Sequence, residues 1–154
     1  MRVLGVDFGR RRIGLALSDP AAILARPWQT IEAGPTTQAS ACQVAALVAD
    51  AGRRDDPSDR LSAIVVGLPR RLSGEDTHDT TEARDFAGIL QALVGLPVHL
   101  QDERLTSHEA DRRLAEHEPD WRRRKARVDA VAAAIILQDY LDGCAPPKAS
   151  AGPC

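Results

Sequence analysis

Arg2-Val3-Leu4-Gly5-Val6-Asp7-Phe8-Gly9-Arg10-Arg11-Arg12-Ile13-Gly14-Leu15-Ala16-Leu17-Ser18 decides the fold of this chain. Its two apolar runs, Arg2 to Phe8 and Ile13 to Ser18, have strand length and composition, and a Gly- and Arg-rich turn between them suits a hairpin. Trp28 to Ala33, closed by Gly34-Pro35, reads as a third strand. The three predict an antiparallel meander with a carboxylate, Asp7, near the end of its first strand.

Beyond the meander the period changes. Gln38 to Ala51 places Ala41, Val44, Ala45, Leu47 and Val48 on one helical stripe that stops at Gly52. Ser62 to Leu68 is a continuous apolar run, as in a strand covered on both faces. Thr80 to Val94 predicts a helix with Phe86, Ile89, Leu90 and Leu93 inward, and Pro97 to Gln101 a fifth strand. Thr106-Ser107-His108-Glu109 is a capping-box sequence opening a helix to about residue 116. Val128 to Leu141 predicts a last helix rich in alanine. Strands that alternate with helices after a meander form a parallel half-sheet, so the class is α/β with a mixed five-stranded sheet flanked by helices. Residues 1–142 form the domain, and 143–154, with three prolines, read as a disordered tail.

Composition limits the alternatives. A chain of 154 residues with 44% hydrophobic and 27% charged residues is one globular domain, with a core of aliphatic residues because only 3% are aromatic. The net charge of -2 gives no overall nucleic-acid signal, but positive charge is concentrated at Arg10–Arg12 and Arg122–Lys125. Composition bias alone would also produce such runs. Cys42, Cys144 and Cys154 lack metal-ligand spacing and read as reduced thiols. With no signal-peptide pattern and no apolar stretch of membrane length, the expected location is cytoplasmic, without a membrane partner.

Three acids stand where burial is expected. Asp7 interrupts an apolar strand, Asp102-Glu103 follows another, and Asp129 opens an apolar, small-residue helix, where the helix dipole tolerates a carboxylate. A buried, unpaired carboxylate costs several kcal/mol, so such residues sit near partners. Neighbours in a strand point to opposite faces, so only one of Asp102 and Glu103 can join Asp7. Each acid taken alone also fits a cap or turn role. His78, His99, His108 and His117 show no ligand spacing and read as surface or packing residues, with His78-Asp79 the one proton-transfer candidate. Asp19-Pro20 reads as a turn, and Trp121 as a packing residue or a base-stacking one.

Four motifs in order carry a resemblance. Val6-Asp7-Phe8-Gly9-Arg10-Arg11-Arg12-Ile13-Gly14-Leu15-Ala16-Leu17-Ser18-Asp19, Val65-Val66-Gly67-Leu68-Pro69, Asp102-Glu103-Arg104-Leu105-Thr106 and Lys125-x-x-Val128-Asp129-x-x-Ala132-Ala133 resemble those of the YqgF family. Its members are described as Holliday junction resolvases or pre-16S ribosomal RNA nucleases. The resemblance spans residues 1 to about 141 and departs from the family pattern at Arg70 to Asp76. It implies a ribonuclease H-like fold with Asp7, Glu103 and Asp129 as catalytic acids.

Such acids suit phosphodiester hydrolysis. Two divalent ions about 3.5–4 Å apart can neutralise phosphate, activate water and stabilise the leaving oxygen. Oxygen ligands suit Mg²⁺ or Mn²⁺, so Asp7, Glu103 and Asp129 are the expected metal ligands. Arg12, Arg104 and Lys125 are the expected substrate-binding cations, although Arg104 could instead pair with a nearby acid. The expected activity is metal-dependent processing of the 5′ end of precursor 16S rRNA, RNA being favoured over DNA. The alternatives are Holliday junction resolution and a non-catalytic RNA-binding role in transcription or ribosome assembly. A resolvase needs two sites held by a two-fold dimer. This sequence has little spare apolar surface or aromatic anchoring, which favours a monomer or weak homodimer.

Overall fold

The computed structural model describes residues 1–71, 73–103 and 121–144. Its five-stranded sheet has the order β3-β2-β1-β4-β5. The strands are β1 (Arg2–Phe8), β2 (Arg12–Ser18), β3 (Ala25–Glu32), β4 (Leu61–Leu68) and β5 (Val98–Asp102). The first three form the antiparallel meander, and β4 and β5 add in parallel beside β1. The helices α1 (Thr37–Gly52), α2 (His78–Val94) and α3 (Trp121–Cys144), with a short 3-10 turn at Pro57–Asp59, complete the described elements. The mixed α/β sheet expected from the sequence is therefore the observed one. The helix expected at residues 106–116 lies outside the described residues, as do Arg104, His108, His117 and the side chains of Trp121 and Lys125.

Strand periodicity sorts the side chains into two layers. Leu4, Val6, Ile13, Leu15, Ile64 and Val66 pack against Val44, Phe86 and Leu90 of α1 and α2. Val3, Ala16 and Val65 pack instead against Ala133, Ile136 and Leu137 of α3. With a period of two, Asp7 follows Val3 and Gly5 onto the α3 face. Leu93, expected inward, is 47% exposed because α2 buries its stripe through Ala83, Phe86, Ala87 and Leu90.

α3 lies unusually close to the sheet. A Cβ at Gly5 would stand 2.7 Å from Leu137 Cβ and 2.9 Å from the Ala133 carbonyl oxygen. A Cβ at Gly14 would overlap the Asp129 backbone carbonyl. Glycines on the strands and alanines on the helix thus let two backbones meet where larger residues would hold them apart.

α3 also corrects two boundaries. It is already helical at Trp121, ahead of Val128, so Asp129 lies at least two turns inside the helix and away from its N-terminal dipole. It continues through Gly143 and Cys144, where the tail was expected to begin. Cys42 is a free, exposed thiol, but Cys144 is in a disulfide, which corrects the expectation of three reduced thiols.

Candidate active site

The carboxylates gather at one end of the two central strands. β1 delivers Asp7 at its penultimate position, paired across the hairpin with Gly14. Glu103 follows β5, with its N–H donating to the Leu68 carbonyl at 3.2 Å. A Cβ at Gly67 would lie 2.6 Å from Glu103 Oε2, so the absence of a side chain there leaves the space that the Glu103 carboxyl fills. Asp129 reaches the same place from α3. Asp102 instead lies 3.7 Å from Arg70, on a loop where Asp76 pairs with both Arg70 and Arg84. Asp19 is remote in role, accepting from the Ile23 and Leu24 N–H groups at 2.7 and 3.0 Å as a turn residue.

Asp7 and Glu103 share a hydrogen bond. Enclosure of the Asp7 carboxyl, reinforced by the charge of Asp129, pushes it up to about 6 against the opposing hydrogen bond from Glu103. Enclosure also pushes Glu103 up to about 9, followed by the charge of Asp7 and the bond donated to it, with Asp102 and Asp79 adding less. Enclosure and mutual repulsion thus favour protonation of the pair, and a shared proton lets one carboxyl donate to the other.

Asp129 has a different partner: Arg12 Nε donates to its Oδ2 at 2.8 Å. Arg10 is held by Asp79 and Glu82, each at 3.2 Å, and Glu82 also meets His78 Nε2 at 3.0 Å. Among the described residues Arg11 forms no ion pair. Arg10, Arg11, Arg12, Asp79 and Glu82 line an open cleft of about 460 Å³ with Phe8, Gly9, Pro69, Glu103 and Asp129. Its walls are braced from both sides. Phe8 stacks on Phe86 with ring centroids 4.4 Å apart. Thr80, reciprocally bonded with Thr77 in the α2 capping box, donates its hydroxyl to the Pro69 carbonyl. Glu82, and the pairing of Arg10 with Asp79 and Glu82, could not be read from the sequence because only the packing of α2 beside the hairpin reveals them. The spacing of Asp79 and Glu82 on one helical face was the available signal.

A raised carboxyl pKa fixes the sign of a pH effect. Protonation favours the folded state, so this stabilisation is fully present below about pH 4 and is lost as pH rises through about 6 and about 9. Thermal melts in a chelator should therefore show stability contributed by this pair falling from pH 5 to 9. Glu103→Gln should flatten the fall; an identical pH profile in that variant would assign it to other groups.

This order of strands, with acids converging at the end of its centre, defines a ribonuclease H-like protein of the nuclease class. The chain belongs to the RuvX (YqgF) family, described as Holliday junction resolvase, which matches residues 1–143. A relative from Maridesulfovibrio salexigens is 40% identical over 92% of this chain and 98% of its own. Another from Koribacter versatilis is 44% identical over 92% of this chain and 86% of its own. Both bear the name "Putative pre-16S rRNA nuclease". The structure of Thermus thermophilus RuvC is similar in fold, with a TM-score of 0.50 and 19% identity over 100% of both chains. Among the described residues no helix is long and apolar enough to cross a membrane.

Proposed function

We propose that this protein is a divalent-metal-dependent nuclease that trims the 5′ end of precursor 16S rRNA in the cytoplasm. The observation that carries the reading is the enclosed Asp7–Glu103 pair, with the charge of Asp129 acting on Asp7. Two carboxyls held together in an enclosed site keep a proton when no cation neutralises them. Among the described residues no group of three or more His, Cys, Asp or Glu side chains stands at metal-ligand spacing. Asp129 is turned onto Arg12 instead. The donor set fits nonetheless, because an all-oxygen trio with two carboxyls already in contact suits Mg²⁺ or Mn²⁺.

Asp7, Glu103 and Asp129 would hold the ions, which when bound supply Lewis acidity at the phosphate and a more acidic water. The remaining groups position the substrate. Arg11 and Arg12 offer guanidinium forks to phosphate oxygens at the cleft rim. Arg10, tied to Asp79 and Glu82, fixes the hairpin against α2. Arg104 and Lys125, which stand in the family motifs, would add further cationic contacts to the substrate.

Holliday junction resolution remains the second reading because the family is so described. A resolvase would have to align two such clefts, whereas single cuts in RNA need a monomer or weak homodimer. The deciding assay offers purified protein a 16S precursor and a four-way DNA junction, with Mg²⁺ or Mn²⁺ and with chelator. Metal-dependent shortening of the RNA is expected. Symmetric nicking of the junction with untouched RNA would reverse the assignment, and no turnover of either would leave a non-catalytic RNA-binding role.

Residues 122–125 lie on α3 ahead of Asp129, which the same helix carries. Replacing Arg122, Arg123 and Arg124 with alanine should weaken binding of single-stranded RNA. It should also reduce the slope of log affinity against log salt by about 2, at ~0.7 for each phosphate that is no longer neutralised. An unchanged slope would assign the run to a solvated surface.

A further inference from the structure

Arg12 and Asp129 are 117 residues apart in sequence, yet Nε and Oδ2 meet at 2.8 Å. Arg12 is the first residue of β2, and its side chain is 45% exposed against 22% for Asp129. The guanidinium can therefore leave Asp129 without opening the core. Arg10 is paired with Asp79 and Glu82, neither of them one of the three converging acids, and Arg11 has no ion pair among the described residues to exchange.

We infer that Arg12 is an exchangeable counter-ion. It neutralises Asp129 while no divalent cation is bound, and turns to a substrate phosphate once a cation takes that carboxylate. The inference rests on the reading of Asp129 as a cation ligand. Its physical basis is competition: a divalent cation and a guanidinium repel each other, and both seek the same carboxylate. A released guanidinium retains the planar fork that matches phosphate. Cation and nucleic acid should then bind cooperatively, and the coupling must be reciprocal.

Calorimetric titration of the full chain with Mn²⁺, without nucleic acid, tests the competition. Arg12→Ala should bind Mn²⁺ about three- to fivefold more tightly than the parent, the range of a partly exposed ion pair removed. Arg11→Ala deletes an equal charge from the same cleft without freeing an acid, and should shift affinity by about twofold or less. Arg12→Gln repeats the test should the alanine variant fail to fold by circular dichroism. A second titration measures binding of a short RNA with and without Ca²⁺. The parent should gain about fivefold or more from the cation, and the Arg12 variants should lose most of that gain. Equal Mn²⁺ affinity in parent and Arg12 variants, or equal tightening in the Arg11 and Arg12 variants, overturns the exchange while leaving the metal site standing. Absence of Mn²⁺ binding in every protein overturns the metal-ligand reading and the exchange with it.

Discussion

Asp7→Asn should reduce cleavage on the order of 10³-fold or more while leaving the metal-free protein as stable as the parent or more so. The loss follows from the role proposed for Asp7, a charged oxygen ligand at the centre of the site, which a neutral amide replaces poorly. The stability follows from the environment. Enclosure and the charge of Asp129 both act against an ionised Asp7, so the amide removes an unfavourable charge and still offers a carbonyl to Glu103. The difference in melting temperature should widen in favour of the variant above about pH 6, where the parent carboxylate is ionised. Gel-based cleavage and chelated thermal melts measure the two effects separately. A large loss of metal-free stability would make Asp7 a structural hydrogen-bonding residue and would remove the main support for the proposed site.

Gly14→Ala should be the most damaging single-methyl change in the sheet. The added Cβ meets the backbone carbonyl of Asp129, which cannot rotate away as a side-chain tip would. α3 would have to lift from β2, losing packing made by Ala133, Ile136 and Leu137 and carrying Asp129 away from Asp7. Overpacking of this kind costs about 3 kcal/mol, lowering the melting temperature by about 6–12 °C in a chain of this size. Gly88→Ala is the matched control. Gly88 is exposed within α2 with nothing within 4 Å of a built Cβ, so alanine should stabilise the helix by about 0.5–1 kcal/mol. Parent-like melting in Gly14→Ala would mean that α3 sits farther from the sheet than observed.

Local pattern carries much of the architecture. The alternation of Val3, Leu4, Gly5 and Val6, the unbroken run Ala63 to Val66, and the stripe of Ala41, Val44 and Val48 mark β1, β4 and α1 without any tertiary information. The reason is that backbone period and side-chain direction are properties of neighbouring residues. Motifs at Asp7, Glu103 and Asp129 likewise single out the acids, through family resemblance. Element ends are less legible. Ala25 to Pro27 joins β3 because its partners on β2 extend that far, and α3 already includes Trp121 to Arg127, a run of charges that shows no apolar stripe.

What could not be read along the chain was which charges meet. The basic run Arg10-Arg11-Arg12 is uniform in sequence, but folding sends Arg10 to Asp79 and Glu82 and Arg12 to Asp129, leaving Arg11 without an ion pair among the described residues. The raised pKa values of Asp7 and Glu103 likewise arise only when the end of β1 and the residue after β5 come together beneath α3. Electrostatic energy depends on distance through space and on the dielectric surroundings, and neither is a function of sequence separation. The glycines at 14 and 67 show the same division: residue identity is written locally, but the helix backbone and carboxyl that require their missing side chains come from distant segments.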